Sequence, residues 1–123
     1  MEKEAFRFWM SQRTRDLNTG FAVYGVVTTL LLGILALSDM IDGSSSLRIT
    51  FVIITIGLGI MTWLWIDGAI DDLGNGQKDM PGDEKDSALG KSFQKAPMMF
   101  FRVLIGIIML ATTGGLVFGA IVN

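Results

Sequence analysis

The stretch PMMFFRVLIGIIMLATTGGLVFGAIV, Pro97 to Val122, carries a single charged residue, Arg102, among otherwise apolar, small and hydroxyl-bearing side chains. A helix needs about 20 mainly apolar residues to cross a hydrocarbon core of about 30 Å, and helices buried in soluble proteins rarely hold so long an uncharged run. Working outward, two further runs meet the same requirement, Phe21 to Ile41 and Leu47 to Asp67, the second with Arg48 and Asp67 near its ends. In a chain of 123 residues, 50% of them hydrophobic, three such helices leave too little polar surface to cover them in water. The expected fold is therefore an all-α integral membrane protein with three transmembrane helices and a mean hydropathy of +0.51, forming a single domain.

The remaining segments follow from the same reading. Residues 1–19 are expected to form an interfacial amphipathic helix, because Phe6, Trp9, Met10 and Leu17 recur near helical spacing with Arg7 and Arg15 elsewhere on the circumference. Asn18-Thr19-Gly20 is expected to break or bend the chain before the first span. The turn around Ser38 to Ser46 is short, so the first two spans should be antiparallel neighbours, with Asp39, Asp42 and Arg48 available for a surface ion pair. Residues 68–96 form the only sizeable polar segment, and Gly74-Asn75-Gly76 and Pro81-Gly82 mark it as largely irregular, with the second helix stopping near Gly74. Within it Ser87 precedes Leu89, Phe93 and Ala96 at helical spacing, which predicts a short helix on the membrane surface.

Charge sets a direction. Lys3, Arg7, Arg13 and Arg15 precede the first span, Lys78, Lys85, Lys91 and Lys95 lie in the second loop, and nothing basic follows the third span. Three crossings put the two basic segments on one side, which the positive-inside rule assigns to the cytoplasm, so the amino terminus is expected inside and the carboxyl terminus outside the cell membrane. The first span is read as an uncleaved anchor, since its apolar run exceeds that of a signal peptide. Trp9, Phe21, Tyr24, Trp63, Trp65, Phe100 and Phe101 all fall near the inner interface on this topology, where amphipathic rings are favoured.

Chemistry is narrowed by what the chain lacks. It has no cysteine and no histidine, which removes thiol catalysis, thiolate and imidazole metal sites and the commonest general base. The acidic residues of the second loop do not follow the spacing of an EF-hand, and no phosphate-binding glycine loop or basic aromatic groove is present. No cofactor, metal or nucleic-acid partner is expected, and no enzymatic activity. Arg102 is the one ionisable residue well inside a span, one turn from its end, at a depth matching that of Asp67. The two are expected either to pair or to meet a lipid headgroup.

Small residues carry the remaining signal. Ala111, Gly115 and Gly119 repeat every four residues on the third span and include a GxxxG pair, Gly25, Thr29 and Gly33 do so on the first, and Thr55 and Gly59 on the second. At about 100° per residue Gly115 lies nearly opposite Arg102 on the third helix. If Arg102 faces Asp67, the Ala111, Gly115 and Gly119 face is expected to turn away from the chain's own bundle towards another subunit. The expectation is a non-catalytic accessory or assembly subunit of a larger membrane complex, such as an oxidoreductase, monooxygenase or other energy-converting complex. Its partners would be the lipid bilayer and other integral membrane subunits, a homo-oligomer being the lesser alternative. A self-assembling pore of holin type, or a small oligomeric transporter or channel, is the other reading.

Overall fold

The computed structural model describes residues 3–37 and 45–122, all but a few of them helical and none in a strand. Helix α1 runs Lys3–Leu37, α2 Ser45–Lys78, α3 Gly82–Lys85, α4 Ala88–Lys95 and α5 Met98–Val122. Three of these, α1, α2 and α5, are long and apolar enough to cross a membrane. The expectations for residues 38–44, including the ends of the first span and the Asp39 and Asp42 ion pair, lie outside the described residues.

Helix α2 sits between the other two. Its Ile66 meets Gly20 of α1, and its Gly59 meets Thr113 of α5, while Asp67 bonds Arg102 and Asp72 bonds Arg13. Along α1 and α5 the partner numbers fall as those of α2 rise, so α2 is antiparallel to both and α1 and α5 run parallel. The inward stripe of α5 is Arg102, Gly106, Met109, Thr113, Leu116 and Ala120, alternating steps of four and three as one face of a helix requires. At the carboxyl-terminal end of α5 the three helices close on Leu31, Phe51, Leu116 and Ala120. Nearer the other end they close on Ile66, Ile70 and Met109, with Leu17, Tyr24, Met98 and Ile105 packed alongside.

Helix α1 has 35 residues and α2 has 34, so at about 1.5 Å per residue each reaches about 50 Å, well beyond a core of about 30 Å. The surplus of both emerges on the same side, where it joins α3 and α4 in a small extramembrane tip. Here the structure departs from the sequence reading. Helix α1 passes through Asn18-Thr19-Gly20 without a break, and α2 continues through Gly74-Asn75-Gly76 to Lys78 instead of stopping at Gly74. The reason is contact: a Cβ on Gly20 would lie 2.9 Å from Ile66 Cγ1, and one on Gly76 would overlap the Trp9 ring. These glycines let helices approach, and tertiary packing outweighs their low helix propensity. The second loop is likewise helical for most of its length.

Within the tip Phe6 is 1% exposed, with its ring against Trp9 and edge-on to Phe93. Phe6 and Trp9 of the amino-terminal segment thus pack against the chain's own α4 and α2. Ser87 caps α4, its Oγ accepting the Gly90 N–H at 2.9 Å and donating to the Glu84 carbonyl at 2.8 Å. At the other end of α4, Gln77 Nε2 donates to the carbonyls of Phe93 at 2.6 Å and Ala96 at 2.9 Å, satisfying groups a helix terminus leaves open. Arg7 Nε holds Glu84 at 2.6 Å, and Arg13 Nε reaches Asp72 at 3.3 Å.

Candidate functional site

The features that invite a functional reading lie along the seam between α2 and α5. One turn into α5, Arg102 donates through Nε to Asp67 Oδ1 at 2.9 Å and through Nη2 to Asp67 Oδ2 at 2.8 Å, a bidentate fork. Its Nη1 donates to Asp71 Oδ1 at 2.9 Å. Asp71 follows Asp67 by one helical turn, which puts both carboxylates on one face of α2. The cluster carries two carboxylates against one guanidinium and is only part-buried, with the Asp71 side chain 52% exposed. It joins the two helices where the hydrocarbon run ends.

Immediately below the cluster a groove of about 560 Å³ opens between α2 and α5, lined among others by Ile56, Gly59, Trp63, Gly106, Gly114 and Val117. Gly106 is one turn from Arg102 and Trp63 one turn from Asp67, so the charged cluster stands directly over one end of the groove. The glycines give it depth: a Cβ on Gly114 would meet nothing within 4 Å, and one on Gly106 would meet only Trp63 Nε1, at 3.6 Å.

The small residues singled out from the sequence fall into two sets. On α5, Gly119 packs inside the chain, where an added Cβ would come within 2.8 Å of Leu35 of α1. That corrects the expectation that the whole Ala111, Gly115 and Gly119 row turns outward: Gly119 lies about 100° round the helix from Arg102, on the flank that α1 occupies. Ala111 is exposed, and a Cβ on Gly115 would meet nothing within 4 Å. Gly25 and Gly33 of α1 are equally open, whereas Thr55 and Gly59 of α2 face the chain's own interior.

Two of the aromatic residues make contacts within the chain that the sequence reading did not assign. Trp9 lies in the tip, against Phe6 and Gly76. The Tyr24 hydroxyl reaches across to α5, donating to the Met109 carbonyl at 3.3 Å and lying 3.2 Å from Thr113 Oγ1. Sequence reasoning missed this cross-helix link, although a tyrosine on the inward stripe of α1 opposite a threonine on that of α5 is the signal for it. Other hydroxyls are satisfied within their own helix, Thr55 by the Phe51 carbonyl at 2.8 Å, Thr62 by Leu58 at 2.6 Å and Thr112 by Ile108 at 2.8 Å.

Geometry and composition together define a multi-pass helical membrane protein with three candidate spans. Compared with protein-family models, curated proteins and solved structures, the chain matches none.

Proposed function

We propose that this chain is a non-catalytic accessory subunit of a larger membrane complex, in which its outer helix faces pack against and steady the helices of bigger subunits. The observation that carries the reading is how little of each span the chain itself covers: 11%, 22% and 17% of the apolar windows of α1, α2 and α5 are buried. The uncovered faces hold glycines with nothing against them, Gly25 and Gly33 on α1 and Gly115 on α5, next to exposed Ala111. In a bilayer apolar side chains gain nothing by leaving lipid for a neighbouring helix, so association depends on close backbone approach, which open glycines permit. By the positive-inside rule the tip lies in the cytoplasm.

The test is purification of the tagged chain from its native membrane in mild detergent, followed by mass spectrometry. Larger membrane proteins at fixed stoichiometry are expected, and Gly25→Leu with Gly115→Leu should release them. Recovery of a homo-oligomer that makes liposomes leak would replace this reading with the pore-forming one.

A further inference from the structure

Three features of the α2–α5 seam lie in line, in the order in which a phospholipid presents its parts. The groove is apolar, runs along the helix axes and is open to the bilayer side. At about 1.5 Å per residue it extends about 10 Å along α2, from Trp63 to Ile56, and about 16 Å along α5, from Gly106 to Val117. One leaflet of a core of about 30 Å is about 15 Å deep, so the groove matches a single acyl chain, whereas a partner helix would traverse both leaflets. On α5 the groove ends at Val117, beside the closure of the three helices on Leu31, Phe51, Leu116 and Ala120.

At the mouth of the slot stands Trp63. Its Nε1 lies on the Gly106 side and makes no hydrogen bond among the described residues. An indole N–H within the apolar zone ordinarily finds an acceptor, and the glycerol linkage of a lipid provides one at that depth. One turn further out, about 6 Å along the axis, comes the charged cluster. Arg102 uses three donors on Asp67 and Asp71, leaving two of the five that a guanidinium carries. Asp71 offers a second oxygen on a half-exposed side chain. A phosphate beside an ammonium complements this arrangement: the phosphate takes the remaining Arg102 donors and the ammonium meets Asp71, so each headgroup charge faces a partner of opposite sign.

We propose that the α2–α5 groove seats one acyl chain of a zwitterionic phospholipid bearing a primary ammonium headgroup, with Trp63 on the linkage oxygen and Arg102 and Asp71 on the headgroup. The inference does not depend on the subunit reading. It is tested by native mass spectrometry of the detergent-purified full chain, titrated separately with dioleoyl phosphatidylethanolamine, phosphatidylcholine and phosphatidylglycerol. Phosphatidylethanolamine should bind at the lowest concentration, because phosphatidylcholine has no N–H to donate and phosphatidylglycerol has no cation. Asp71→Asn should bring phosphatidylethanolamine to the level of phosphatidylcholine. Gly114→Leu, which projects into open space, should weaken all three about tenfold while far-UV circular dichroism stays unchanged. A second measurement needs no groove variant: phosphatidylethanolamine with brominated chains should quench tryptophan fluorescence beyond brominated phosphatidylcholine at equal mole fraction, and Trp63→Phe should remove that excess. Equal binding of the three lipids to the unaltered chain, or full binding by Gly114→Leu, overturns the proposal. So does loss of a co-purifying subunit in Gly114→Leu with lipid binding intact, which would assign the groove to a partner helix.

Discussion

The membrane-embedded part and the extramembrane tip are built from the same helices but held together by different forces. Inside the bilayer the contacts are glycine against side chain, Gly20 on Ile66, Gly59 on Thr113 and Gly119 on Leu35, with a hydroxyl link from Tyr24 to α5. In the tip the contacts are chiefly a buried phenylalanine between two other aromatic rings, two ion pairs between elements and a glutamine capping a helix end, with one glycine contact, Gly76 on Trp9. Water drives Phe6 into cover, while lipid is as apolar as any side chain and rewards only close fit and satisfied polar groups. The lesson is that the tip is most sensitive to large-to-small substitution of its aromatic core, and the spans to small-to-large substitution at their glycine contacts.

The strongest break of that comparison is Phe6→Ala. Removing a phenylalanine that is 1% exposed should cost the tip about 3–5 kcal/mol. Hydrogen exchange should rise in α3, α4 and the first turns of α1 while the interior of α5 keeps its protection. Equal loss in both regions would mean that tip and spans unfold together. Next in size is the pair Gly119→Leu and Gly115→Leu. The first forces a side chain onto Leu35 and should destabilise the isolated chain by about 1–3 kcal/mol in thermal unfolding. The second enters open space and should leave that Tm unchanged. The smallest effect belongs to Tyr24→Phe, which removes one interhelical hydrogen bond and should cost about 0.6 kcal/mol. Thr113 can turn its hydroxyl to its own helix, as other threonines in the spans do, so a loss several times larger would show that Tyr24 orders more than one contact.

Much of the fold is legible in the residues themselves. Uncharged runs of sufficient length mark the three spans, and Ser87 followed by Leu89 and Phe93 marks α4 with its cap. Arg102 and Asp67 stand at matching depth by counting alone. Asp71 is harder to foresee, because its part in the cluster depends on α2 continuing as a helix beyond the apolar run. That continuation is what glycine obscures. Gly20, Gly74 and Gly76 read locally as breakers, and only the partner residue, Ile66 or Trp9, shows why the chain needs no side chain at Gly20 and Gly76. A continuous inward stripe through Phe6, Trp9, Arg13, Leu17, Gly20 and Tyr24 is present in the sequence as the competing signal. Cross-helix register is the part that local reading cannot supply, so Gly119 against Leu35 and Tyr24 against Thr113 emerge only from the packed structure.

The meeting of Phe6 with Phe93 also sets an order of events during synthesis. The tip draws on the beginning of the chain and on a segment made only after two of the three spans, so the amino-terminal turns of α1 leave the ribosome long before their cover exists. At about 5–20 residues per second the wait is on the order of ten seconds. During that interval Phe6 lacks the cover it has in the finished structure. The Phe93 ring closes over it once α4 arrives.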